Sequence, residues 1–186
     1  MASTSDSAHT PVIKLADLVA HSAPKAPAAA AFVLSDEERH DIEHALTHYP
    51  DGRAASIDAL KAVQKRRGWV PDEALAPVAA MIGISAAELE GVATFYSLIF
   101  RQPVGRHVIK VCDSISCFLT GYDDLKVALE QKLGIRYGQT TPDNRFTLLP
   151  ICCLGACDKG PALMIDDTMH GDVTPASLDR ILGQYA

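Results

Sequence analysis

His107-Val-Ile-Lys-Val-Cys112-Asp-Ser-Ile-Ser-Cys117 is the stretch whose reading decides the architecture. Its first six residues read as a strand that ends on a thiol, and a second thiol follows after four more residues. Downstream, Arg145 to Leu149 reads as another strand and leads into Cys153-Leu-Gly-Ala-Cys157, so a second pair of thiols also sits at a strand-to-loop exit. Between them, Asp123 to Leu133 has the periodicity of an amphipathic helix stopped by Gly134. Ala162 to Ile165 reads as a third strand, and Thr174-Pro175 opens a last helix bearing Leu178, Ile181 and Leu182.

The order strand, helix, strand, strand, helix predicts helices layered on a small mixed sheet, most economically a thioredoxin-like arrangement. The first crossover is long enough for parallel pairing, and the two later strands are close enough for a hairpin. Upstream the period is helical. Ser35-Asp36-Glu37-Glu38 is a capping box, followed by the stripe Ile42, Ala45, Leu46 and Tyr49. A second helix is expected from about Ser56 to Arg67, with Ile57, Leu60 and Val63 inward and Gly68 as its stop. A third follows Asp72, burying Leu75, Val78, Ala79 and Ile82 and ending at Gly83. A fourth opens on the box Ser85 to Glu88 and carries Leu89, Val92, Ala93 and Tyr96. Phe95, Tyr96 and Phe100 are expected in the core, and Trp69 as a packing anchor.

All five cysteines lie beyond residue 111. Two pairs of thiols at neighbouring strand exits can converge on one cofactor, and four thiolates suit either an iron–sulfur cluster or zinc. The spacings C-x4-C and C-x3-C fit a wide, two-metal object better than the tight knuckles of structural zinc sites, while reduced structural thiols or a disulfide pair stay open. A dithiol redox centre of the C-x-x-C type is absent from the sequence. Cys152 is expected to be a small buried hydrophobe.

The chain has 186 residues, 48% hydrophobic and 22% charged, within the range of globular proteins. A net charge of −6 provides no basic field for phosphate contacts, so nucleic acid is not an expected partner. The longest uncharged run, Ala74 to Ala87, has 14 residues and contains Pro77, too short to span a bilayer. Residues 1 to 31 hold ten Ala, four Ser and three Pro and read as a flexible extension, with a docking segment near Ile13 to His21 as the one structured possibility. That extension has no secretory pattern, and with Asp6, Asp17 and no Arg it is unlike a mitochondrial transit peptide, so a reducing compartment is expected.

The two cysteine runs, with Gly91-Val-Ala-Thr-Phe-Tyr96, Ala54-Ala-Ser-Ile57, Arg67-Gly-Trp-Val-Pro71 and Phe100-Arg-Gln-Pro-Val-Gly-Arg106, resemble the small 2Fe-2S subunits of bacterial NADH:quinone oxidoreductase, respiratory complex I. The resemblance spans roughly Phe32 to Tyr185. It implies an α/β fold in which a small N-terminal helical bundle precedes a thioredoxin-like 2Fe-2S ferredoxin domain. The division is then 1–31 extension, 32–103 helical bundle and 104–186 thioredoxin-like domain. It implies Cys112, Cys117, Cys153 and Cys157 as the ligands of one 2Fe-2S cluster, with Cys152 outside the motif. It further implies FMN and NADH on a larger neighbouring subunit, the larger iron–sulfur subunit as a second partner, and a proton-translocating complex. The place expected is cytoplasmic, on the inner face of the cell membrane, without direct insertion. The equivalent small subunit of an NAD-linked hydrogenase or formate dehydrogenase is the nearest alternative, and a structural zinc-binding adaptor is the alternative of a different class.

Electron transfer asks for no general acid, base or nucleophile, and no G-x-G-x-x-G run holds a dinucleotide in this chain. Backbone amides near Gly155 are the expected donors to sulfur, and Lys159 is expected to be a solvated lysine. His40-Asp-Ile-Glu-His44, extended by His48, matches an inverted zinc-peptidase pattern. At 100° per residue its histidines fall opposite Ile42, Ala45, Leu46 and Tyr49, on the solvated face, which argues against catalysis.

Overall fold

Ser35 starts the first helix, α1 (Asp36–Leu46), because its hydroxyl accepts from the Glu38 amide while the Glu38 carboxylate accepts from the Ser35 amide. The structure, a computed structural model, describes residues 32–185; the extension and its segment Ile13 to His21 lie outside the described residues. Helices α2 (Ser56–Arg67), α3 (Asp72–Ile82) and α4 (Ala86–Phe95) follow. They bury Ile42 and Ala45 of α1, Leu60 and Val63 of α2, Leu75, Val78, Ala79 and Ile82 of α3, and Leu89 and Ala93 of α4. Each fully buried Leu or Ile contributes about 2 kcal/mol through apolar area withdrawn from water.

Glu38 does more than cap. Its side chain is 1% exposed and takes Nε of Arg67 at 2.5 Å and a terminal nitrogen at 2.7 Å, tying the start of α1 to the end of α2. The Arg67 guanidinium holds the Glu38 carboxyl below its ordinary value, against the opposing effect of burial.

Two expectations fail at helix ends. α1 stops at Leu46, so Tyr49 lies outside it, exposed, donating its hydroxyl to Asp58 at 2.5 Å. α4 stops at Phe95 and Tyr96 turns extended; Phe95 is 79% exposed and Tyr96 is exposed as well. They are not core residues, because Phe95 falls off the buried face of Leu89 and Ala93, and at Tyr96 the chain leaves the helical screw and Ile99 enters the buried layer instead. Phe100 and Trp69 are half-buried.

Every strand among the described residues lies after residue 104: β1 (His107–Cys112), β2 (Phe146–Ile151), β3 (Leu163–Ile165) and β4 (Thr168–His170). Short α5 (Ile115–Leu119) and longer α6 (Tyr122–Leu133) connect β1 to β2, and α7 (Leu178–Leu182) comes last, after a 3-10 turn at Pro175–Ser177 capped by Thr174. The sheet order is β2-β1-β3-β4, with β1 and β2 parallel and the other pairs antiparallel. The expected hairpin between the second and third strands does not form. The segment after β2 carries the second cysteine pair past the end of β1, and β3 joins the far side of β1 and makes its hairpin with β4. Ile109, Val111, Leu148, Leu163 and Ile165 of the sheet pack with Leu125 and Leu129 of α6 and with Leu178, Ile181 and Leu182 of α7. Val33–Ala186 makes one compact unit. Among the described residues no single helix is long and apolar enough to cross a membrane; α3 and α4 reach that length only together and are bent by 117°.

Candidate metal centre at the strand exits

Parallel register pairs Cys112 with Ile151, so the loops after β1 and β2 leave the sheet side by side. Had β2 run antiparallel, its exit would lie at the far end of a six-residue strand, about 17–20 Å away. After β1, Asp113 and Ser114 turn the chain into α5, whose first turns return Cys117 to Cys112; the two are 1% and 2% exposed. After β2, Cys153 and Cys157 are exposed, with their sulfurs 4.0 Å apart. Leu154 and Ala156, from between the second pair, pack on Cys112, Cys117 and Ala162, so one loop closes on the other through a small apolar cluster.

One sulfur receives an amide hydrogen. Gly155, at φ +80°, donates to Cys153 Sγ at 3.3 Å, in line with the expectation from the sequence. Ala162 packs on Cys112 and Cys117, and its carbonyl accepts from the Cys112 amide at 3.1 Å. Burial, and then the adjoining Cys112 thiol, push the Cys117 thiol above its ordinary value, while the Ala162 backbone opposes the rise. A thiol so placed is protonated when free and gives up its proton when a metal takes its sulfur.

These residues fit an iron–sulfur cluster. Soft thiolates in two close pairs, with an amide aimed at sulfur, match two bridged irons, whereas one tetrahedral zinc needs its four ligands around a single point. One end of the site is buried and the other open, so the negative charge of the thiolates is partly compensated by solvent and partly by backbone dipoles.

Cys152 corrects an expectation: it is exposed, not a buried hydrophobe. The cover over β2 thins toward its end, where Pro150 is exposed and Ile151 half-buried, and Cys152 lies beyond it. Lys159 is exposed, as are His40, His44 and His48, with the last two rings 4.7 Å apart, centroid to centroid. Three features had no clear sequence signal. α5 presents Ile115, Phe118 and Leu119 to solvent around the buried Cys117. Ala162 packs on Cys112 and Cys117, and Gly160 lies against Cys117. Only the Gly160-Pro161 dipeptide, which marks a turn, hinted that the chain doubles back there.

The chain belongs to the thioredoxin-like [2Fe-2S] ferredoxin family, whose sequence model matches residues 42–186. The family supports an iron–sulfur cluster as the cofactor of this fold. Its relatives include the component lettered E of the NADH-quinone oxidoreductase of Pseudomonas aeruginosa, 60% identical over 154 residues that make up 83% of this chain and 93% of that protein. The component of the same name from Escherichia coli is 59% identical over 159 residues, 86% of this chain and 96% of that one. Among solved structures, an NAD+-reducing [NiFe]-hydrogenase in the air-oxidised state superposes with a TM-score of 0.58 at 25% identity, over 68% of this chain and 22% of the hydrogenase chain.

Proposed function

We propose that this chain is the small electron-transfer subunit of the NADH dehydrogenase module of respiratory complex I. On this reading Cys112, Cys117, Cys153 and Cys157 bind one 2Fe-2S cluster, two thiolates from each strand exit. The observation that carries it is the closure of the second cysteine loop on the first, with Leu154 and Ala156 seated on Cys112, Cys117 and Ala162. When bound, such a cluster takes up and returns one electron at a time. The chain's own part is to gather the thiolates, aim the amide of Gly155 at one of them, and bury one end of the site.

The electron's other station is a flavin on a neighbouring subunit that also binds NADH, and the larger iron–sulfur subunit is the second neighbour. The flavin-bearing subunit docks over α5, because the exposed Ile115, Phe118 and Leu119 form apolar surface continuous with the element that carries Cys117. The assembled complex lies on the cytoplasmic face of the cell membrane, and membrane insertion belongs to other subunits. The hydrogenase likeness supports the same role in a different NAD-linked complex, and copurified subunits distinguish the two.

The test is direct. The full chain is purified with its iron, and Cys112→Ala and Cys157→Ala are compared with it by iron and acid-labile sulfide content, visible absorption and EPR. Loss of cluster absorption and signal in each variant is expected, and an unchanged spectrum removes that residue from the ligand set.

A further inference from the structure

Gly160 has an ordinary extended backbone, φ −74° and ψ 151°, which any residue before a proline can adopt. Conformation therefore does not require glycine there. Space does. A Cβ at this position would stand 2.6 Å from Thr120 Oγ1, 3.4 Å from Cys117 Cα and 3.5 Å from Cys117 Sγ. The nearest of these distances is a clash, whereas the other two are close to ordinary contact. The Thr120 hydroxyl is not free to swing aside without loss, since it donates to the carbonyl oxygens of Ser116 at 2.9 Å and Cys117 at 3.2 Å.

Gly160 follows the last cysteine of the second loop by three residues, and it rests on the last cysteine of the first. The segment around it is pinned from its other side. The Asp172 amide donates to the Lys159 carbonyl at 2.7 Å and the Val173 amide to the Pro161 carbonyl at 3.0 Å, and a Cβ on Gly171 would meet Lys159 Cβ at 2.6 Å. The strand-side residues 171–173 thus press the return segment 159–162 onto Thr120 and Cys117, leaving no slack to absorb an added methyl group.

We propose that Gly160 is a positioning residue whose lack of a side chain lets the return segment rest on α5, and so sets the separation between the Cys112/Cys117 pair and the Cys153/Cys157 pair. Its contact with α5 is the point at which the chain leaving the second pair is brought to rest on the first. Enlarging it moves the return segment away, lifts Ala162 off Cys112 and Cys117, and parts the two halves of the site.

The inference rests on the four cysteines being the ligand set, and a double substitution separates the two ideas. The full chain is prepared as wild type, Gly160→Ala, Thr120→Ala and Gly160→Ala/Thr120→Ala, and iron and sulfide per chain, EPR line shape, midpoint potential and far-ultraviolet circular dichroism are measured. Gly160→Ala is expected to lose most of its cluster, or to hold one with an altered EPR line shape and a shifted potential, while Thr120→Ala keeps the wild-type cluster. Removing Oγ1 leaves the new Cβ only the contacts at 3.4 and 3.5 Å, so the double variant regains iron and the wild-type spectrum. Wild-type iron, spectrum and potential in Gly160→Ala overturn the proposal. So does a double variant no better than Gly160→Ala, whether or not the single variant folds. Failure of the ligand assignment reads out differently, as cysteine variants that keep their cluster while the Gly160 series behaves in any manner.

Discussion

The Gly155 amide donates to the sulfur of Cys153 at 3.3 Å, reaching back two residues along the loop they share. The loop can make this contact because Gly155 sits at φ +80°, where a side chain is strained but an unsubstituted Cα is not. A donor to a ligand sulfur is worth more when the site carries an extra electron, since the acceptor is then more negative.

Gly155→Ala is therefore expected to lower the midpoint potential of the bound cluster. Alanine in the left-handed region costs about 1–2 kcal/mol, and relaxing it turns the amide off the sulfur. Each kcal/mol of stabilisation lost selectively from the reduced form corresponds to roughly 40 mV for one electron. Potentiometric EPR titration of both forms measures the shift, and a potential that rises contradicts the role given to the amide.

Cys152 and Cys153 are neighbours with different fates. Cys152→Ala is expected to retain the iron, sulfide and EPR signal of the wild type, because its exposed side chain lies beyond the end of β2 and outside the two loop pairs. Cys153→Ala removes a sulfur that lies 4.0 Å from that of Cys157 and accepts the Gly155 amide, and it is expected to bleach the protein. Iron analysis of the two variants side by side decides the matter.

Glu38 makes stability depend on pH in a definite direction. Its carboxyl is held below the ordinary 4.5 chiefly by the Arg67 hydrogen bond, so its contribution is complete above that value and is lost as pH falls through the lower folded one. Glu38→Gln is expected to cost about 2 kcal/mol near neutral pH, less than a fully buried pair, because Arg67 is 33% exposed. Chemical denaturation from neutral to acid pH should show the gap between wild type and variant narrowing below 4.5, and a constant gap would contradict the assignment.

Leu119, 77% exposed on α5, is expected to matter to assembly and not to the cluster. Leu119→Asp places a charge on the apolar face that borders Cys117, and a buried unpaired charge at an interface costs several kcal/mol. The variant should keep its EPR signal when purified alone and fail to copurify with the flavin-bearing subunit. Copurification at the wild-type level would move the docking surface elsewhere.

The strand His107–Cys112 and the helix stops at Gly68 and Gly83 were readable because each depends on neighbours within a few residues. The thiol pairs were readable for the same reason, since their spacing is local. What sequence periodicity did not disclose is which strand lies beside which. The partner of β3 is chosen by where the second loop lands, and that depends on contacts between residues far apart in the chain, such as Gly160 with Thr120 and Cys117. Tyr96 was misplaced because helical period was carried one residue past the helix end, and Phe95 because an aromatic residue on a helix was taken for core although it falls off the buried face of Leu89 and Ala93. Cys152 was misplaced because burial was inferred from its residue type, whereas the cover over β2 has already thinned by Pro150 and Ile151.

β3 follows the last of the four thiols and completes the flank of β1 opposite β2. In the order of synthesis, all four thiols thus precede the strand that flanks β1 on that side. A chain that stops before Leu163 therefore holds the four thiols without the strand that covers that flank of β1.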